Sequence, residues 1–177
     1  MSEKKVNETT MRNNNMNNNG SEMLHSDIVM GLKQKKENSG SGIAWFEEEA
    51  LINNYTALYD IMSKHLMNAG CSKENTMRIM IAVEEIYVNI CHYAYAPDTG
   101  KAFVHIETTS DPKCAVVTFV DSGVPYDPTA KEDPDITLSA EERKIGGLGI
   151  FMTKQIMDEV KYEYKDGLNI LTLIKYF

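Results

Sequence analysis

The sequence predicts an α+β fold, a two-layer sandwich in which a mostly antiparallel sheet is covered on one face by three helices. Three observations carry that reading. Helical stripes and β-branched runs fall in separate blocks, the strands come in pairs joined by hairpin-type turns, and neither G-x-G-x-x-G nor G-x-x-x-x-G-K-[ST] occurs to open a doubly wound sheet.

Residues 1–41 contain Asn13-Asn14-Asn15, Asn17-Asn18-Asn19 and Ser39-Gly40-Ser41-Gly42 at its edge, with few large apolar side chains to offset the entropy of ordering. This segment is expected to be a disordered tail, and residues 42–177 a single domain. From Glu47 the positions Leu51, Tyr55, Leu58, Met62 and Leu66 recur at three and four residues, the stripe of a helix with one buried face, and Gly70 supplies its stop. A second helix should begin at Ser72 or Lys73, with Ser72 as N-cap, and carry Met80, Val83, Tyr87, Ile90 and Ala94 before Pro97. Ala102 to Thr109 and Cys114 to Val120 read as strands, with Ser110-Asp111-Pro112-Lys113 as the turn between them. Residues 122–145 hold three prolines and six acidic residues without a steady period, and a loop of that length in a compact domain has the character of a lid. A helix from Leu148 to Asp158 should follow. Val160, Tyr162 and Tyr164 then alternate with charge, Asp166-Gly167 turns, and Leu168 to Tyr176 closes the sheet, giving the order ααββ-lid-αββ.

A chain of 177 residues with 42% apolar content builds one ordinary domain. Of its 18 basic and 26 acidic residues, six and five lie in the first 41, which leaves 12 against 21, or −9, in residues 42–177. An acidic body without a basic stripe argues against nucleic acid and for a protein or small-molecule partner. Cys71, Cys91 and Cys114 are odd in number and never spaced C-x-x-C, which fits packing residues in a reducing cytosol. The four histidines lack zinc spacing, the first 30 residues lack the apolar core of a signal peptide, and no apolar run approaches the ~18 residues that span a bilayer. A cytoplasmic location without membrane contact is expected.

Three pieces carry chemistry. At 100° per residue, Glu85 and Asn89 sit about 40° apart on one helix face, so a carboxylate and a neutral amide oxygen enter the same space. That suits Mg²⁺, which needs only one or two protein oxygens beside phosphates and water: Asn89 as metal ligand, Glu85 polarising a water or hydroxyl. Taken alone, the pair reads more readily as an Asn and a Glu on a solvated helix face, because such pairs are common. Asp121 ends a strand, where its carboxylate can accept from an adenine amino group, and Gly123 admits the backbone close to the base; an Asp-x-Gly also makes an ordinary turn. Gly146-Gly147-Leu148-Gly149 opens an apolar helix, where free amides bind phosphate oxygens, or it is merely a tight helix start. Arg143 and Lys144 beside it either neutralise phosphate or balance Glu141 and Glu142. The three pieces in this chain order favour a nucleotide site.

These residues resemble the GHKL ATP-binding superfamily of gyrase, heat-shock chaperone, histidine kinase and mismatch-repair ATPases, in particular its bacterial anti-sigma factor serine/threonine kinase branch. The likeness spans residues 45–177. Glu85-Ile-Tyr-Val-Asn89 is similar to the N box, Asp121-Ser-Gly-Val-Pro-Tyr-Asp-Pro128 to the adenine box and Gly146-Gly-Leu-Gly-Ile-Phe-Met152 to the phosphate box; Met157 to Val160 and Gly167 to Leu173 also resemble that branch. The resemblance implies a Bergerat-type fold binding Mg²⁺-ATP, with Glu85 as general base, Asn89 on the metal, Asp121 on adenine and the glycines on phosphate. It further implies a homodimer that phosphorylates a small anti-anti-sigma (STAS-like) protein and, in one state of the switch, sequesters a sigma factor. Members often have His-Ala-Tyr where this chain has Tyr93-Ala94-Tyr95, a departure that leaves the base and metal positions intact. The alternative class is a non-catalytic ATP/ADP-sensing module.

Overall fold

A computed structural model of the chain describes residues 27–34, 42–130 and 148–177. Its elements are a short helix over residues 27–33 (α1), β1 (Gly42–Glu49), a 3-10 turn (Ile52–Asn54), α2 (Tyr55–Asn68), α3 (Lys73–Asn89), a π-helical turn (Ile90–Ala94), β2 (Lys101–Ser110), β3 (Lys113–Asp121), α4 (Leu148–Ile156), β4 (Glu159–Lys165) and β5 (Leu168–Tyr176). The five strands form one sheet in the order β1-β2-β3-β5-β4, every pair antiparallel.

Period-two alternation sorts the strand residues onto two faces. Phe46, Val104, Phe119, Leu171 and Tyr162 lie opposite one another across all five strands, and Ala44, Ile106, Val117, Leu173 and Val160 form the next row. Both rows face the helix layer, where Leu58, Met62 and Leu66 of α2, Ile79, Met80, Val83, Ile86 and Tyr87 of α3 and Ile150 of α4 complete the main core. The predicted sandwich, with three helices on one face of an antiparallel sheet, is therefore the observed one.

Local chemistry sets the boundaries. Ser72 caps α3, its hydroxyl accepting from the Asn75 amide at 3.1 Å. Gly70, at φ 76°, reverses the chain after α2 while the Cys71 amide closes onto the Leu66 carbonyl at 3.0 Å. Asp166 and Gly167, at φ 53° and 82°, form the two-residue left-handed turn that a β4–β5 hairpin requires.

Two departures from expectation concern the chain before α2. The helix expected from Glu47 begins later: residues Gly42–Glu49 are an edge strand, because Phe46 fits beside Val104 in the sheet and the registered pairing with β2 outweighs the helical propensity of three consecutive glutamates. Within the segment expected to be a disordered tail, residues 27–33 are helical, and Val29, 3% exposed, packs with Ile28 and Leu32 on Phe103, Val120 and Leu168 of the opposite sheet face. The Asn-rich remainder of that segment lies outside the described residues, as do residues 131–147 of the expected lid. The first nine residues of that loop, 122–130, are described and run without helix or strand along the sheet end.

Candidate nucleotide site

One cavity of about 650 Å³ opens between the helix layer and the end of the sheet. Its wall on the α3 side comes from Glu85, Asn89 and Tyr93, spaced four residues apart so that all three project the same way. Asp121 closes the base of the cavity, and Leu148 and Gly149 at the start of α4 close the other side. Glu85, Asn89, Asp121, Leu148 and Gly149 thus line one cavity. Gly123 sits beside the cavity rather than in its lining. Arg143, Lys144, Gly146 and Gly147 lie outside the described residues.

Glu85 and Asn89 are half-buried, so their polar ends reach the cavity while their stems are packed. Glu85 lies directly over Gly149: a Cβ there would overlap Glu85 Oε2 and stand 2.8 Å from its Cδ. The glycine at the head of α4 therefore makes room for the carboxylate on α3.

Asp121 is 5% exposed, and burial pushes its carboxyl above the usual carboxylate range, against the lowering pull of two hydrogen bonds. The Gly123 amide donates to its Oδ1 at 2.9 Å and Asn169 Nδ2 donates to the same oxygen at 2.8 Å. Asn169 comes from β5, where the register sets it directly opposite Asp121.

The loop after Asp121 is stapled to the end of α3. Directly after Asn89 the helix widens into the π turn, a rare single-turn device. It carries the Ala94 carbonyl to the Val124 amide at 2.7 Å, and the Gly123 Cα packs against that carbonyl so closely that a Cβ would stand 2.6 Å from the carbonyl carbon. Tyr95 follows: its hydroxyl donates to the Lys101 carbonyl at 2.6 Å and accepts from the Ser122 amide at 2.9 Å. The need for Gly123 is thus packing on Ala94. Sequence reasoning missed Asn169, Tyr95 and the π turn as parts of the site; the lone polar residue on the core side of the run Leu168 to Leu173 was the available signal for Asn169.

Among the described residues no group of three His, Cys, Asp or Glu side chains could hold a metal ion, and Cys71, Cys91 and Cys114 are free thiols. Mg²⁺ fits these residues, because a single neutral oxygen such as that of Asn89, beside phosphate oxygens and water, satisfies its coordination habit. Among the described residues no helix is long and apolar enough to cross a membrane.

A five-stranded antiparallel sheet under helices, with a carboxylate, an amide and a glycine-headed helix around one cavity at its end, defines a nucleotide-binding α+β domain. The chain belongs to the histidine kinase-like ATPase domain family, which it matches over residues 49–175. It is 32% identical over 108 residues to the serine-protein kinase RsbW of Listeria monocytogenes, a match covering 58% of this chain and 68% of that protein. It is 27% identical over 95 residues to the serine/threonine-protein kinase BtrW of Bordetella bronchiseptica, covering 54% and 66%. The chain thus spans about two thirds of the length of these relatives. Among solved structures, the RsbU and RsbW domains of Rv1364c from Mycobacterium tuberculosis share the fold with a TM-score of 0.55 at 16% identity, over 76% of this chain and 32% of that one.

Proposed function

We propose that the protein is an ATP-dependent serine/threonine protein kinase of the anti-sigma factor type. The observation that carries this reading is the shared cavity: Glu85, Asn89, Asp121 and the head of α4 face one volume of about 650 Å³, sufficient for a nucleotide. In this reading Asp121 accepts the adenine amino group, and the free amides at the start of α4, with Gly146, Gly147, Arg143 and Lys144, hold phosphate charge. Asn89 ligates Mg²⁺, which when bound offsets the phosphate charge.

Glu85 serves as general base. The acceptor hydroxyl oxygen forms its bond to the γ-phosphorus as the bond to the β–γ bridging oxygen breaks, and the hydroxyl proton passes to the Glu85 carboxylate. Little covalent chemistry is asked of the protein beyond that proton; positioning does the rest. The kinase names of RsbW and BtrW support a serine or threonine acceptor. By the family resemblance the acceptor is a small STAS-like anti-anti-sigma protein, the protein acts as a homodimer, and its other partner is a sigma factor.

The test is transfer of label from γ-labelled ATP to small proteins in lysate of the source organism, with wild type, Glu85→Gln and Asp121→Asn compared. One labelled protein seen only with the wild type, while Glu85→Gln still binds nucleotide, is the expected result. Transfer by Glu85→Gln overturns the base assignment. Bound nucleotide without any labelling by the wild type replaces the kinase with a nucleotide-sensing module.

A further inference from the structure

Asn169 lines the cavity beside Asp121, and the kinase reading gives it no task. It is 6% exposed and makes a full set of contacts. Its Oδ1 accepts from the Tyr162 hydroxyl at 2.7 Å and from the Tyr126 amide at 3.2 Å. Its Nδ2 faces Asp121 Oδ1 at 2.8 Å, the Val124 carbonyl at 3.2 Å and the Gly123 carbonyl at 3.4 Å. The orientation of the carboxamide is forced: a backbone amide only donates and a carboxylate only accepts, so the oxygen must meet Tyr126 and the nitrogen must meet Asp121.

The consequence lies in the two oxygens of Asp121. Both donors, the Gly123 amide and Asn169 Nδ2, converge on Oδ1. Oδ2 accepts from none of the described residues, and Asp121 lines the cavity. The geometry points to Asn169 as a specificity-determining positioning residue: it pins Oδ1 so that Oδ2 stands alone toward the cavity and selects a purine with a 6-amino donor over one with a 6-oxo group. A 6-amino group satisfies a buried acceptor, whereas a 6-oxo group sets one acceptor against another. Without Asn169 the carboxylate can turn about its last bond and present either oxygen, or neither, and the discrimination weakens. Tyr162 acts one step further out by holding the Asn169 oxygen. This inference rests on the nucleotide-site reading above.

The experiment is calorimetric titration of the full chain with ADP and with IDP, which share ribose and phosphates and differ at the 6-position. The ratio of the two Kd values is the readout. It cancels any inactive fraction of protein, and a merely structural role for Asn169 would weaken both ligands alike. Wild type is expected to prefer ADP by about a hundredfold, the upper range for a hydrogen bond to a charged group. In Asn169→Ala the ratio should fall about tenfold, chiefly through weaker ADP binding. Tyr162→Phe, which leaves the Asp121 contacts in place, should lower it a few-fold. An unchanged ratio in Asn169→Ala overturns the inference; if that variant does not fold, an unchanged ratio in Tyr162→Phe does so. Equal binding of ADP and IDP by wild type overturns the inference and leaves the nucleotide site standing. Binding of neither removes both.

Discussion

Replacing Gly149 by alanine should separate stability from catalysis. Gly149 is the second residue of α4 and its φ is not left-handed, so alanine suits the backbone there. Reduced freedom of the unfolded chain should raise stability by about 0.4–1 kcal/mol. The new Cβ, however, would overlap Glu85 Oε2 and stand 2.8 Å from Cδ, where carbon–carbon contact is normally about 3.5–4.0 Å. The obstacle is the far end of a flexible side chain, so Glu85 swings away by about 1 Å and the helix stays. A displacement of that size at the reacting group lowers transfer about a hundredfold. Urea unfolding without nucleotide, ADP titration, and single-turnover transfer to the phosphoacceptor form the assay. The expected pattern is equal or greater stability, ADP affinity within a few-fold of wild type, and transfer down about a hundredfold. Wild-type transfer rates in Gly149→Ala would refute both the placement of Glu85 over the glycine and its role as base.

Three further outcomes follow from the same contacts. Asp121→Asn keeps an oxygen that accepts from Gly123 and Asn169 but removes a buried charge. The folded-state pKa of Asp121 is raised by burial, so its contribution favours the fold at pH below the unfolded value near 3.8 and is lost as pH rises through the folded value. Without ligand, Asp121→Asn should therefore melt at or above wild type at pH 7, lose that advantage as pH falls toward 4, and bind ADP far more weakly; a variant that melts lower at pH 7 and gains on acidification contradicts the sign. Leu58→Ala removes a fully buried side chain facing the sheet and should cost about 2–5 kcal/mol in urea unfolding. Tyr95→Phe keeps the ring but deletes the hydroxyl between Lys101 and Ser122; it should lose about 1–3 kcal/mol and weaken ADP several-fold, and a change in neither would show the staple to be idle.

What the sequence disclosed follows the range of the forces involved. β2, β3 and β5 were legible because β-branched runs end at turn residues that act locally, Asp111-Pro112 and Asp166-Gly167. The α3 boundary was legible because its Ser72 cap closes within three residues. β1 was not, since Glu47, Glu48 and Glu49 favour a helix and only pairing with residues 101–108 makes them a strand. α1 was hidden in an Asn-rich context, where a stripe of three apolar residues means little until Phe103, Val120 and Leu168 cover it. In the site, Glu85 and Asn89 were readable because a single helix relates them. Asn169 was not, because its value depends on β5 lying beside β3 in a register that sets it against Asp121.

The two ends of the cavity are consequently held by different means. At the base end, Asp121, Asn169, Tyr162 and the backbone of residues 122–126 form a hydrogen-bonded network on adjacent strands of a packed sheet, fixed before any ligand arrives. At the other end, Glu85 is a half-buried side chain resting on a glycine, placed among the described residues by the packing of α3 against α4 rather than by hydrogen bonds. A preorganised base end contributes affinity, because little ordering remains to be done there on binding. The Glu85 end depends on how closely α4 lies against α3, so in the proposed kinase a substitution that shifts α4 should change transfer more than affinity. Ile150, the buried residue that follows Gly149 on α4, offers the check: Ile150→Val, a loss of one methylene from the core, should destabilise by about 0.5–1.5 kcal/mol and lower transfer by a larger factor than it lowers ADP affinity. An equal fall in both would place the limiting order at the base end instead.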